Sequence, residues 1–228
     1  MTTPLAQRIK SLIRLNGPLS VTDYFSLCLA DPEHGYYKSR EPFGRSGDFI
    51  TAPEVSQLFG EMLGVFVVHA WQRHGAPAQT QLVEIGPARG TMMSDMLRVI
   101  RRIAPPLYET MRVHLVETSP TLRAAQLARL PTAQHHDHVA DLPHTDATII
   151  VANEFFDALP IHQYVKTADG WRERVVRQRD GKLTPLPGDL SADDAVPAAL
   201  RQRGEGAIVE TAPVAAAIMQ DCAFRIAR

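Results

Sequence analysis

The sequence has few cysteines, almost no net charge and no long hydrophobic run. Its two cysteines, Cys28 and Cys222, are far apart and lack C-x-x-C spacing, which favours reduced thiols in a cytoplasmic protein over a disulfide framework. The net charge is −1 and no long basic segment is present, which argues against a nucleic-acid or anionic-membrane surface. The longest apolar run, around residues 65–68, is too short to span a bilayer.

What the sequence does contain is enough apolar material for one substantial core. Hydrophobic residues make up 45% of the 228 positions, which favours one α/β domain with an added segment over two full domains. We predict N-terminal helices and a lid-like loop over residues 1–75. A core over residues 76–228 follows, with a hairpin insertion at about 161–205, because two alternating segments flank Ala168-Asp169-Gly170. Residues 180–205 are rich in Pro, Gly and Asp and are expected to be irregular.

A glycine-containing turn is the most informative feature. A short apolar strand that carries Glu84 runs into a turn with small residues at Gly86, Ala88 and Gly90, and a helical pattern follows over residues 92–103. Strand, turn and helix together are typical of the first unit of a nucleotide-binding α/β sheet. The spacing differs from the dinucleotide fingerprint G-x-G-x-x-G, and it favours a ligand with a sugar and a charged amino-acid tail over a diphosphate.

The next strand, over residues 112–116, ends on Glu117. A carboxylate in this position can accept two hydrogen bonds from vicinal ribose hydroxyls. Glu117 follows Gly86 by 31 residues, more than the roughly 20 of the fingerprint, and the segment Pro105–Tyr108 accounts for the difference. An ordinary solvated carboxylate is the alternative interpretation, and the preceding turn favours the ribose role.

Polar residues also follow the other strands of the predicted sheet. In open α/β sheets, ligands bind outside the carboxyl ends of the strands. Asp141 falls just beyond such an end, and Asn153-Glu154 follows the apolar run 147–152, which we expect to be a central strand buried on both faces. A cap for the following turn is the alternative role of Asn153-Glu154. The sequence therefore predicts that these groups and Glu84 and Glu117 converge on one edge.

A histidine cluster invites a metal interpretation, which we do not adopt. His135, His136 and His138 lie beside Asp137, but no second cluster has recognisable ligand spacing. We interpret the cluster as a solvated strand end and predict no metal site.

The N-terminal third is predicted to be helical, with one long loop. The acid-free segment before residue 22 is typical either of a mitochondrial transit peptide or of a first domain helix, and we favour the helix because Thr3-Pro4 and Gly17-Pro18 bound it. Residues 31–54 form a long loop that we expect to fold over the ligand. It ends in a capping box at Thr51–Glu54. The apolar side chains of the next helix are predicted to pack in the core: Val55, Leu58, Phe59, Met62, Leu63, Phe66 and Trp71.

Five motifs together resemble the MidA-type family of S-adenosylmethionine (SAM)-dependent methyltransferases. They are HGYY (34–37), GDFITAPE (47–54), VEIGPARGTMMSD (83–95), HLVETSP (114–120) and NEFFDALP (153–160). The resemblance runs in order from about residue 5 to 227. One departure is Ala88, where the family turn commonly carries glycine, and alanine is also a small residue. The family also continues into a further strand, so this chain is either a fragment or has a shorter sheet.

The resemblance implies a class I SAM-dependent methyltransferase fold. This is a Rossmann-like α/β sheet, here with an N-terminal helical and loop extension and an inserted β-hairpin. The implied cofactor is SAM, and the implied function is that of the mitochondrial members, which are protein arginine methyltransferases of a respiratory complex I (NADH dehydrogenase) subunit and support complex assembly. The implied partner is a protein substrate, with neither nucleic acid nor stable membrane insertion. The expected compartment is the cytoplasm in a bacterium and the mitochondrial matrix in a eukaryote.

Candidate site residues follow from these observations. Those expected at the cofactor are Glu84, Gly86, Pro87, Gly90, Glu117, Asp141 and Asn153, together with Asp48 and Thr51 of the loop. Glu154 is the first candidate for a carboxylate that clamps the substrate guanidinium, and Asp157 is the second. Two rival functions remain: an assembly chaperone that binds SAM without catalysis, and a nicotinamide-dependent oxidoreductase, against which the glycine spacing argues.

Overall fold

The computed structural model describes residues 3–36, 52–144 and 147–226, so Asp48 and Thr51 lie outside the described residues. Its elements in chain order are α1 (Pro4–Asn16), β1 (Leu19–Ser20), α2 (Val21–Ala30), α3 (Ala52–Val55), α4 (Gln57–Arg73), β2 (Gln81–Ile85), α5 (Thr91–Ile103), α6 (Pro105–Thr110), β3 (Arg112–Val116), α7 (Pro120–Arg129), β4 (Gln134–His136), β5 (Thr148–Ala152), β6 (His162–Thr167), β7 (Gly170–Arg179), β8 (Lys182–Ser191), β9 (Ile208–Thr211) and α8 (Pro213–Ile226). Single 3₁₀ turns lie at Val139–Asp141, Phe156–Ala158, Asp193–Ala195 and Ala198–Leu200.

The chain divides into two compact units, and the division differs from the predicted boundary between residues 75 and 76. Described residues of 1–41 group with 158–216, and those of 42–157 group with 217–228. The physical reason is packing. Ile9 and Ile13 of α1 form a buried cluster with Val176 of β7, whereas α4 packs against α5.

The first unit contains an antiparallel sheet in the order β1-β7-β6-β9, with β8 added to β7. The predicted hairpin is present as β6 and β7, with Thr167 paired to Gly170. The first helix is bounded as the sequence predicts: the Thr3 side chain accepts the N–H of Ala6, and Pro4 occupies the first turn. Helix α1 belongs to this unit because its buried side chains, Ile9 and Ile13, pack with Val176 of β7.

Strand β8 was expected to be irregular, and that expectation was wrong. Asp180 and Gly181 both have positive φ, +51° and +73°, as a two-residue type I′ hairpin turn requires. The turn aligns β8 with β7, so that Pro185 lies opposite Val176. In the described sheet β8 pairs with β7 alone, and an edge strand tolerates proline because its outer N–H groups need no strand partner.

The second unit contains a four-stranded parallel sheet in the order β4-β3-β2-β5. All five residues of β2 are buried, as expected for a strand with neighbours and helices on both sides. Strand β5 was predicted to be central and buried on both faces, but among the described strands it lies at the end of the sheet and is only half-buried. The apolar residues of β5 therefore pack against the helices on the two faces of the sheet. They do not indicate that β5 lies between two of the described strands.

Helices cover both faces of this sheet. Side chains of α4 and α5 pack with Leu82 and Leu115 on one face, and Cys222 of α8 packs with Val83 and Ile85 on the other. Helix α4 approaches α5 closely at its glycines, since a Cβ at Gly64 would lie 2.8 Å from the carbonyl oxygen of Met96. Throughout the described chain, every helix is too short or too polar to cross a membrane.

The predicted core stripe of the long helix was only partly correct. Phe59, Leu63 and Trp71 pack against the core, but four members of the stripe are exposed: Val55, Leu58, Met62 and Phe66. The buried face of α4 is instead formed by Gly60, Gly64, Val67 and Val68. The helix also breaks at Ser56, which caps α4 by accepting the N–H of Leu58 and separates it from α3.

Candidate functional site

The glycine turn follows β2 and leads into α5. Gly86 and Gly90 have φ of +66° and +75°, in the left-handed region that favours glycine. The N–H of Gly86 donates to the carbonyl of Val116 at 3.0 Å, which ties the turn to β3. A Cβ at Gly86 would lie 2.6 Å from Phe155 Cδ2. The turn therefore brings bare backbone against the segment that follows β5.

The alanine in this turn has a left-handed backbone conformation, which favours glycine. Ala88 has φ of +47°, a strained value for a residue with a Cβ. Pro87 beside it is buried, and its carbonyl accepts the N–H of Gly90 at 2.7 Å. The departure from glycine is thus accommodated by a closed local turn.

Glu84 lies inside the protein beneath the turn. The residue is only 3% exposed, and this burial raises the pKa of its carboxyl to about 8. A hydrogen bond from the backbone of Met93 acts in the opposite direction and lowers the pKa. The carboxyl is therefore protonated at neutral pH. Among the described residues, its Oε2 has no hydrogen-bond partner. A buried acid with a strongly shifted pKa at a predicted ligand site is typical of functional positions.

Glu117 lies at the carboxyl end of β3, as predicted. One carboxylate oxygen, Oε1, accepts the N–H of Ser119 at 2.8 Å. The other, Oε2, lies 3.4 Å from the side-chain nitrogen of Gln126 on α7. The residue is half-buried, so a carboxylate held by two local contacts still has accessible surface for a ligand.

The segment after β5 carries the two proposed catalytic acids. Since Ile85 pairs with Ala152 in the parallel register, Gly86 and Asn153 continue from the same edge of the sheet. Glu154 is exposed and has φ of +49°. Neither its carboxylate nor that of the exposed Asp157 is held by a hydrogen bond or ion pair from the part of the chain that the structure describes. A strained backbone that presents an unengaged acid is the arrangement found at many functional sites.

Asp141 lies in the turn that follows β4, and its carboxylate has a local role. Its Oδ2 accepts the N–H of His138 at 3.0 Å, which caps the 3₁₀ turn Val139–Asp141. The residue is exposed. The structure thus places Asp141 beyond a strand end, as expected, with one oxygen already occupied.

The interpretation of the histidine cluster as a solvated strand end was wrong for His135 and His136, whereas His138 is exposed. His135 and His136 are half-buried and hydrogen-bonded: His135 Nε2 lies 2.9 Å from Gln126 Oε1, and His136 Nε2 lies 2.9 Å from His114 Nδ1. Burial lowers the pKa of His114 to about 4 and lowers the pKa of His135 and His136. No group of three or more potential metal-binding side chains occurs in the described ranges.

The contacts of Glu54 with the glycine turn were not predicted from the sequence. Glu54, expected to close a capping box, instead reaches the glycine turn. Its Oε2 lies 2.8 Å from Arg89 Nη2, and its Oε1 accepts the hydroxyl of Thr91 at 2.8 Å. Burial alone would raise the pKa of Glu54, but the hydrogen bonds from Arg89 and Thr91 and the charge of Arg129 outweigh it and lower the pKa. The opposite charges of Glu54 and Arg89, in two of the quoted motifs, were the available signal.

Sequence comparison identifies a family for most of the chain. Residues 62–228 match the family described as "Putative S-adenosyl-L-methionine-dependent methyltransferase". The chain is 35% identical to the Homo sapiens protein named "Protein arginine methyltransferase NDUFAF7, mitochondrial", over 99% of this chain and 57% of that protein. It is 38% identical to the Danio rerio protein of the same name, over 78% of this chain and 49% of that protein. The chain therefore spans about half the length of the curated relatives it matches.

A solved structure is also similar. A protein from Burkholderia thailandensis, crystallised with S-adenosyl-homocysteine (SAH) bound, superposes with a TM-score of 0.76 at 27% sequence identity. The alignment covers 97% of this chain and 59% of that protein. This similarity confirms the predicted α/β methyltransferase fold class.

Proposed function

This chain belongs to that family of S-adenosyl-L-methionine-dependent methyltransferases, and on this basis we propose that it is a protein arginine N-methyltransferase that uses SAM. The observation that supports the proposal most directly is the meeting of two segments at one sheet edge. The bare backbone of Gly86 lies against Phe155, so the glycine turn adjoins the segment that carries the exposed acid Glu154.

The residues at this edge fit SAM. The turn from Gly86 to Gly90 brings backbone to the carboxyl end of β2, and the half-buried Glu117 carboxylate is suited to ribose hydroxyls. The remaining residues proposed at the cofactor are Glu84, Pro87, Asp141 and Asn153, with Asp48 and Thr51 of the preceding loop. When bound, SAM would supply a methyl group on a positively charged sulfonium, from which a neutral thioether can depart.

The proposed role of the protein is to hold the substrate arginine in line with that methyl group. A guanidinium is a poor nucleophile because its charge is delocalised and it stays protonated. A carboxylate can clamp it by paired hydrogen bonds and draw the charge away from the attacking nitrogen. The arginine nitrogen would take the methyl group while the electron pair of the broken C–S bond stays on sulfur, and the doubly charged product would release one proton to solvent. Glu154 is the proposed clamp and Asp157 a second carboxylate, while alignment supplies most of the acceleration.

The proposed substrate is a respiratory complex I subunit. Two relatives that cover 99% of this chain are named as mitochondrial NDUFAF7 protein arginine methyltransferases. We extend to this chain the role in complex I assembly that the sequence resemblance implies. The proposed compartment is the cytoplasm if the source is bacterial and the mitochondrial matrix if it is eukaryotic.

A carboxylate-to-amide substitution tests the catalytic assignment. Glu154→Gln keeps the size of the side chain and removes the charge that pairs with arginine. Methyl transfer should fall by about 100-fold or more, the scale of losing a preorganised electrostatic contact, while SAM affinity is unchanged. Asp157→Asn should reduce turnover less, and Glu109→Gln, at an exposed position of α6, should have no effect.

Two outcomes would revise this assignment. Wild-type turnover in Glu154→Gln would remove Glu154 from the mechanism. Loss of SAM binding in the same variant would make Glu154 a residue of the cofactor site or a structural residue, and the clamp would then have to be sought elsewhere.

A further inference from the structure

Gln126 is a fully buried polar residue that no sequence motif singled out. It lies on α7 with 0% exposure, and its side chain contacts three different elements. The amide nitrogen donates to the carbonyl of Ala88 at 2.6 Å and lies 3.4 Å from Oε2 of Glu117. The amide oxygen lies 2.9 Å from Nε2 of His135 on β4.

These contacts fix the orientation of the amide. A carbonyl and a carboxylate only accept hydrogen bonds, so the nitrogen must face Ala88 and Glu117. The oxygen then faces His135, which must carry its proton on Nε2. Burial lowers the pKa of His135, so the ring is neutral at pH 7 and this single tautomer donates to Gln126. Both N–H groups and the oxygen of the amide are thereby engaged.

The same helix also packs directly on the turn. A Cβ at Gly90 would lie 3.2 Å from Leu130 Cδ1 and 3.6 Å from Gln126 Cγ. The Ala88 peptide that Gln126 holds is the one with a left-handed φ of +47°. A strained peptide persists only where surrounding contacts determine it, and the hydrogen bond from Gln126 is such a contact.

We propose that Gln126 is a positioning residue of the SAM site, fixing the Ala88 peptide of the glycine turn and the Glu117 carboxylate relative to each other. The inference rests on the proposed function, since it concerns the same cofactor. One amide joins the two groups that would bind the amino-acid tail and the ribose of one ligand. Losing it removes one restraint from each group and, among the described residues, leaves the Glu117 carboxylate with the hydrogen bond from Ser119 alone. Affinity should therefore fall, although the fully buried Gln126 need not contact the ligand itself.

The test measures SAH affinity by calorimetry and thermal stability in the whole chain. Gln126→Met keeps the length of the side chain and removes its hydrogen bonds, and we expect SAH to bind about threefold to tenfold more weakly. Gln126→Glu should weaken binding further, because a carboxylate would face the Ala88 carbonyl and Glu117 without a proton to donate. Gln72→Met, at an exposed position of the helix α4, is the matched control and should bind SAH as wild type does.

A double variant separates positioning from simple structural support. If Gln126 acts partly through Glu117, Gln126→Met should cost less affinity in a Glu117→Gln background than in wild type. A purely structural role would lower the melting temperature and leave SAH affinity unchanged below it, and that result would overturn the proposal. So would an effect of the same size in both backgrounds, since the link to Glu117 would then be absent.

The failure of this inference differs from the failure of the proposed function. If wild type does not bind SAH, the proposed function fails and this inference falls with it. If wild type binds and Gln126→Met binds equally well, only the inference fails. Should Gln126→Met not fold, His135→Ala removes one partner of the amide, and undiminished SAH affinity in that variant would overturn the proposal.

Discussion

Replacing Gly86 by alanine tests the geometry on which the site depends. The new Cβ would lie 2.6 Å from Phe155 Cδ2, which forces Phe155 or the turn to move. An alanine with φ of +66° also costs about 1–2 kcal/mol of backbone strain. Overpacking adds about 1–3 kcal/mol. The free energy of unfolding should therefore fall by roughly 2–5 kcal/mol, and the displaced turn should weaken SAM binding at least tenfold; Gly86→Val should abolish it.

Two matched variants divide this cost into its parts. A Cβ at Gly75 meets no atom within 4 Å, although φ there is +83°, so Gly75→Ala should show the backbone cost of about 1–2 kcal/mol without loss of SAM affinity. In a Phe155→Ala background, Gly86→Ala should lose the overpacking cost and retain the backbone cost. Urea unfolding and calorimetry measure both quantities. Wild-type stability and affinity in Gly86→Ala would refute the close approach of the turn to Phe155.

Two further predictions concern the acids around the turn. Glu54→Gln should lower the free energy of unfolding by about 1–3 kcal/mol, because it removes a partly buried charged partner of Arg89. The control Glu61→Gln breaks the more exposed pair with Arg98 and should cost less than about 1 kcal/mol. Equal losses would show that the Glu54–Arg89 pair stabilises the fold no more than an exposed ion pair does. The folded protein keeps the proton of Glu84 up to about pH 8 and the unfolded chain releases it near 4.5, so this group lowers stability as pH rises between these values. Urea unfolding should show Glu84→Gln gaining stability relative to wild type from pH 5 to pH 8, by at most about 5 kcal/mol, and a pH-independent difference would show that Glu84 is ionised in the folded state.

Local patterns were sufficient to predict the strands and the turn at the carboxyl ends of the parallel sheet. Alternation and glycine spacing located β2, β3 and the turn between β2 and α5, because each depends on neighbours in sequence. Strand β8 was missed because its prolines were given more weight than Asp180-Gly181, a two-residue hairpin signal. The place of β5 in the sheet could not be derived, since an apolar run does not determine how many strands flank it.

The site contacts that were missed all join residues distant in sequence. Glu54 was interpreted as a local cap, but its partner Arg89 is 35 positions away. Gln126 has no chemical signature within α7, and its contact with Ala88 spans 38 positions. Burial of such groups depends on how helices pack onto the turn, which a single sequence does not encode in any local pattern. The strained φ of Glu154 likewise appears only once the strand end is built.

The most direct test of the proposed function is mass spectrometry of complex I subunits from a strain that lacks this gene. We predict that one arginine is methylated in the wild-type strain and unmodified in the deletion strain. Restoring the wild-type gene should restore the modification, and the gene carrying Glu154→Gln should not. Identical arginine methylation with and without the gene would contradict a methyltransferase acting on complex I, and defective complex assembly in that case would favour a chaperone that binds without catalysis.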